Sequence, residues 1–187
     1  AEKGIGFAGA GTSGGTEGAL KGPPISVDCT GADYVKIRPI LEFLGGNHVH
    51  FEDAGKGHLA KTLHNAIEYG MMQSLAEGVA LYVKHGFTED EIKRAFATWS
   101  KGSIIESRLV NCLRSVLEKH SLSELCDIKK SETLKIVSGV LRDDCPTPIL
   151  ATSARLREMS AEQDPVALTV LARLRNFFGG HGLSGKK

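Results

Sequence analysis

The sequence predicts a mainly α chain in which an all-helical bundle follows the end of an α/β sheet. Three observations lead there. Residues 1–31 are glycine-rich and carry short apolar runs, GIGFAGAG and PPISVDC, the pattern of strands joined by tight connections. From Gly57 to Lys84 no proline interrupts the run, and His85-Gly86 closes it with a C-cap signature. Beyond that point apolar residues recur at a helical period almost to the C-terminus.

Each element follows from its own spacing. Val35, Ile37, Ile40, Leu41 and Leu44 lie on one helix over 34–44, which Gly45-Gly46 stops. His48 to Phe51 alternates and reads as one more strand. Thr88 is an N-cap ahead of Glu89-Asp90-Glu91, whose acids suit the positive end of a helix dipole. Residues 103–119 and 131–141 are helical in period, Asp144-Cys145-Pro146-Thr147-Pro148 breaks the chain, and helices over 149–159 and 165–178 close it. The expected organisation is 1–54 for the end of the sheet domain, 55–181 for the bundle, and 182–187 for a flexible tail.

Composition narrows the function. The chain has 187 residues, 41% hydrophobic and 24% charged, enough to bury a core. Lys plus Arg is 23 against 22 for Asp plus Glu, so the net charge of +1 argues against a dedicated nucleic-acid or membrane-surface protein. No apolar run approaches the ~18–20 residues that span a bilayer, and AEKGIGFAGAG lacks the pattern of a signal peptide. Cys29, Cys112, Cys126 and Cys145 are far apart with no CxxC pair, which reads as reduced structural thiols in a cytoplasmic protein.

Two overlapping GxGxxG matches, Gly4 to Gly9 and Gly9 to Gly14, stand at the start, and Asp28 falls where a ribose-binding acid belongs. The context is wrong for a dinucleotide fingerprint. Only Ala1-Glu2-Lys3 precedes the first match, and Thr16 to Lys21 is too short for a crossover helix. The segment reads instead as a strand running into a glycine-lined loop.

Lys61, His64, Asn65 and Glu68 fall at i, i+3, i+4 and i+7, one narrow stripe of a helix. The rest of that helix is apolar or small, so it is expected to be a buried rod whose polar stripe, continued as Met72, Leu75 and Val79, lines a cleft. Lys61 and Glu68, about 10 Å apart along the axis, can reach a small molecule from either end. A desolvated lysine serves as a base and a desolvated carboxyl as an acid. A solvated charged face remains the alternative. His48, His50, Glu52, Asp53 and His58 allow a metal site to be imagined, though such groups are more often histidines beside a turn. Neither Cys112 nor Cys126 has a histidine placed in sequence to activate it.

The string Lys61-Thr62-Leu63-His64-Asn65-Ala66-Ile67-Glu68-Tyr69-Gly70 resembles the catalytic helix of 6-phosphogluconate dehydrogenases, K-x-x-H-N-x-I-E-Y-G. Ser13-Gly14-Gly15, with Glu17-Gly18 behind it, is similar to that family's substrate loop. Trp99-Ser100-Lys101-Gly102-Ser103-Ile104-Ile105 resembles its W-x-x-G-x-I-I segment, and Arg175 to His181 its R-[DN]-x-F-G-[GA]-H element. Ser153-Ala154-Arg155 sits where the family has a phosphate-binding arginine. The resemblance runs from about Gly4 to His181.

That resemblance implies a Rossmann-type remnant before the bundle and oxidative decarboxylation of 6-phosphogluconate to ribulose 5-phosphate, a step of the pentose phosphate pathway, with NADP or NAD as hydride acceptor. Lys61 is then the base and Glu68 the acid. Ser13, Gly14, Gly15, His64 and Asn65 hold the sugar acid, and Tyr69 and Arg155 its phosphate. Arg175 and His181 serve the other subunit of a homodimer, and no metal is needed. The resemblance also implies that most of the dinucleotide-binding domain is absent from these 187 residues. The family's phosphate loop is not recognisable over 129–134, where Lys130 is a weak candidate. Two other readings stay open: a non-catalytic module that binds sugar acids or dimerises, and a β-hydroxyacid dehydrogenase for a smaller acid.

Overall fold

The computed structural model describes residues 4–128, 132–141, 146–159 and 163–185. They form two compact units, Ala1–Asn65 and Ala66–Lys187. Cys145 and Lys130 lie outside the described residues.

The first unit is a three-stranded sheet with two helices and the start of a third. Strand β1 (Gly9–Thr12) leads through helix α1 (Gly15–Lys21) to β2 (Ile25–Asp28), and α2 (Gly31–Leu44) to β3 (His48–Phe51). β1 pairs antiparallel with β2, Gly11 opposite Ser26, and β2 pairs parallel with β3, Ser26 opposite Val49. A parallel pair needs a crossover, and α2 provides it. Thr30 starts α2 by accepting the Asp33 N–H on its Oγ1 at 3.2 Å, a cap the apolar spacing did not reveal, so the helix begins at Gly31. Alternation along β2 sends Ile25, Val27 and the following Cys29 toward Leu41, Tyr34 and Ile37 of α2, leaving Ser26 on the opposite face.

Helix α3 (Lys56–Lys84) begins in this unit and contributes its later turns to the second. It is less buried than its composition suggests. Leu59, Leu63, Ile67 and Met71, each four residues from the next, are exposed.

The second unit continues with α4 (Glu89–Trp99), α5 (Arg108–Lys119), strand β4 (Cys126–Ile128), α6 (Glu132–Val140), α7 (Pro148–Glu158), α8 (Pro165–Gly179) and strand β5 (Leu183–Gly185). Thr88 and Glu91 form a reciprocal capping box at the start of α4. Helix α5 starts later than its apolar spacing implies, because Ser107 caps it through the Val110 N–H and residues 103–107 turn. The buried rod here is α8, in which every residue from Ala167 to Arg175 is buried. Met72 and Val79 of α3, Ile92 of α4, Leu113 and Leu117 of α5, and Leu168 and Leu171 of α8 belong to one core. A smaller cluster joins Ala66 and Tyr69 to Leu134, Val137 and Ala154.

Leu183–Gly185 pairs antiparallel with Cys126–Ile128 as β5. Neither strand shows an extended apolar alternation, and the pairing exists because Thr169 of α8 receives the Cys126 N–H on its Oγ1 at 3.1 Å and fixes β4 on the core. No described helix is long and apolar enough to cross a membrane.

Candidate functional site

In the first unit, Ser13, Gly14 and Gly15 make the turn from β1 into α1. Gly14 has φ 106° and Gly15 φ 59°, backbone that only glycine adopts freely, and a Cβ at Gly14 would stand 2.9 Å from the Gly18 Cα. The turn places Ser13 beside the first turns of α3. Lys61 Nζ donates to Ser13 Oγ at 3.1 Å and lies 3.3 Å from His64 Nδ1. His64 Nε2 lies 3.5 Å from Ser13 Oγ, and its Nδ1 lies 3.4 Å from Asn65 Oδ1. Of the residues predicted from sequence, the structure therefore brings Ser13, Lys61, His64 and Asn65 together in a single polar network. A cavity of about 160 Å³ opens beside it, with Gly11, Ser13, Ser26, Asn47, Lys61 and His64 among its lining. The approach is tight because Gly11 lacks a side chain: a Cβ there would meet Lys61 Cβ at 2.6 Å.

The second unit brings Glu68, Arg175 and His181 near Tyr69, which is buried at the second cluster. Arg157 lies over its ring, with Cζ 3.8 Å from the ring centre. Only 2% of Arg157 is exposed, its Nη2 donates to Met72 Sδ at 3.4 Å, and its Nε has no hydrogen-bond partner among the described residues. Burial pulls its pKa down to about 10, against the attraction of Tyr69 and Glu68, while Arg175 pushes it further down. Arg175 is buried and also lowered by burial, and it feels both Tyr69 and Glu68. Burial raises the Tyr69 phenol. Partial burial, then the neighbouring Arg175, hold the His181 imidazole below its usual value. A cationic cluster that has given up its water is suited to an anion with several oxygens.

The structure places three of the predicted residues as follows. Arg155 is exposed, with its Nε on Met159 Sδ at 3.2 Å, and the arginine at Tyr69 is Arg157. Residues two apart on a helix project to opposite sides, so only one of the pair can face inward. Arg175 and His181, expected to serve a second subunit, stand near Tyr69, Glu68 and Arg157 of their own chain. Asn176 Nδ2 donates to the His181 carbonyl at 2.9 Å, and β5 follows directly after the 180–182 turn.

The imagined metal ligands are used otherwise. His48 Nε2 lies 2.9 Å from Tyr34 Oη, and His50 stacks on the Tyr34 ring with its Nε2 2.8 Å from the Cys29 carbonyl. Glu52 accepts the Gly31 N–H at 3.0 Å and Asp53 pairs with Lys56. Cys29, Cys112 and Cys126 are buried. In the glycine-rich start, Gly9 and Gly11 lie within β1, and Asp28 is buried with its oxygens on the Gly55 and Gly57 N–H groups.

Comparison with known proteins fits this arrangement. Residues 57–167 match the C-terminal domain of 6-phosphogluconate dehydrogenase. The chain belongs to the 6-phosphogluconate dehydrogenase family. Residues 1–52 match that family's NAD binding domain, so the first unit is the Rossmann-like remnant and the family uses NAD or NADP. YqeC of Bacillus subtilis (strain 168) is 34% identical over 190 residues, covering 99% of this chain and 64% of that protein. The NAD(+)-dependent, decarboxylating 6-phosphogluconate dehydrogenase of Haloferax volcanii is 29% identical over 94% of this chain and 61% of its own length. The chain thus spans less than two thirds of these relatives. Plasmodium falciparum 6-phosphogluconate dehydrogenase shares the fold, with a TM-score of 0.73 at 22% identity over 88% of this chain and 41% of that one.

Proposed function

We propose that the chain supplies the sugar-acid site and the acid–base groups of a 6-phosphogluconate dehydrogenase, which converts 6-phosphogluconate to ribulose 5-phosphate and carbon dioxide in the cytoplasm. NADP or NAD supplies the hydride acceptor in that reaction. The chain's own work is binding and proton transfer. Lys61, as free amine, takes the proton of the C3 hydroxyl while that carbon is oxidised to a ketone. It returns the proton to the carbonyl oxygen as the β-keto acid loses carbon dioxide. Glu68, protonated, then gives its proton to C1 of the ribulose 5-phosphate enediol, while Lys61 takes back the proton of the C2 hydroxyl and leaves the ketone. Ser13, Gly14, Gly15, His64 and Asn65 hold the acid end. Tyr69 and Arg157, with Arg175 and His181, hold the phosphate.

The observation that carries this reading is Lys61 Nζ held between Ser13 Oγ and His64 Nδ1. Two buried arginines beside Tyr69 favour a phosphorylated substrate over a smaller unphosphorylated acid. Calorimetry with 6-phosphogluconate and with unphosphorylated gluconate tests it: binding of the first alone is expected, and equal binding or none overturns it. Spectrophotometric reduction of NADP or NAD on adding the sugar acid separates a working enzyme from a binding or dimerisation module.

A further inference from the structure

Asp28, at the end of β2, is a buried acid that the proposed chemistry does not use, with 2% of its surface exposed. Its Oδ1 accepts the Gly55 N–H at 3.0 Å and its Oδ2 the Gly57 N–H at 2.9 Å, while His58 Nδ1 lies 3.7 Å from Oδ2. These donors open α3, where the unpaired N–H groups and the dipole favour a negative charge. The space for the carboxylate comes from missing side chains. A Cβ at Gly9 would stand 2.8 Å from both carboxylate oxygens, and one at Gly57 would stand 2.7 Å from the Ser26 carbonyl oxygen and 2.8 Å from Oδ2. One helical turn after Gly57 comes Lys61, whose Cβ passes 2.6 Å from where a Gly11 Cβ would be. An acid and three glycines thus fix both the height and the rotation of α3's first turn against β1 and β2.

We propose that Asp28 is a positioning residue for Lys61: its carboxylate sets where α3 starts, and so brings Lys61 Nζ to Ser13 Oγ and His64 Nδ1. Asp28 touches no reacting group and acts through the helix. The inference rests on the reading above only for the use of Lys61 as a base.

The test follows the Lys61 ammonium by NMR in the 187-residue chain, assigned with Lys61→Arg, and measures how far Ser13→Ala moves its titration midpoint. In the parent the shift is expected to be roughly half a pH unit or more, since a hydrogen bond to Nζ is lost. In Asp28→Asn the same Ser13→Ala step is expected to shrink to less than about a third of that. A field effect of Asp28 alone would move the midpoint but leave the Ser13→Ala step unchanged. Gly57→Ala, which lifts α3 off β2 and keeps the charge of Asp28, is expected to shrink the step likewise. An undiminished step in either variant overturns the proposal, as does no step in the parent. Loss of the fold in both variants also overturns it, because Asp28 is then structural only. Failure of the functional reading looks different: no sugar acid binds while the Ser13–Lys61 coupling persists.

Discussion

Lys61 and Arg157 are the two side chains on which activity and stability pull apart most clearly. In any preparation that reduces NADP or NAD with 6-phosphogluconate, Lys61→Ala is expected to lower kcat at least about a thousandfold with the circular dichroism spectrum unchanged. An unchanged kcat removes Lys61 as the base. Arg157→Ala is expected to weaken sugar-acid binding at least about tenfold, and Arg155→Ala to leave it within about twofold, both by calorimetry. Arg157→Met should also raise the stability of the unliganded chain by roughly 1 kcal/mol or more in urea denaturation, since a buried guanidinium with an unpartnered Nε gives way to an apolar chain. The sequence contains both arginines, and motif position alone cannot say which faces in; that needs the rotation of α7 against Tyr69. By contrast, Lys61, His64 and Asn65 were legible from spacing, because three- and four-residue steps along one helix oblige side chains to share a face.

Among the elements, the start of α4 was readable to the residue, since Thr88 and Glu91 are a local signal that needs nothing from the rest of the fold. Thr88→Ala is expected to cost about 1 kcal/mol, measured by urea unfolding. The roles of α3 and α8 were harder to read. Leu59, Leu63, Ile67 and Met71 make α3 look like a buried rod, yet they stand exposed. Arg173 and Arg175 make α8 look like a surface helix, yet both are buried, Arg173 on the Glu124 carboxylate at 2.9 Å. Apolar content reports burial only when charged residues stay outside, and here a cationic cluster is part of the interior. β4 and β5 left no trace in the sequence because three-residue strands are too short to establish a period and owe their pairing to contacts remote in sequence.

For the whole molecule, the titratable groups set a direction for acid sensitivity. His120 is lowered by burial and by Arg173, and His181 by partial burial and by Arg175. A histidine whose folded pKa lies below its unfolded value binds its proton more readily when the chain is open. Its stabilisation is therefore complete above the unfolded value of about 6.5 and is lost as pH falls through the folded value. Urea midpoints are expected to fall as pH drops from about 7 to 5, and His120→Asn to flatten that slope; a slope unaffected by the substitution excludes His120 as its source.

Three residues at the far end of the chain tether the arm on which His181 rides. Hydrolytic trimming that reached Leu183 would cut that tether while leaving the helical core intact. The arm would slacken, and the phosphate capture proposed for it would fail long before melting. A fusion partner spliced directly behind Gly185 would tug on the same mooring.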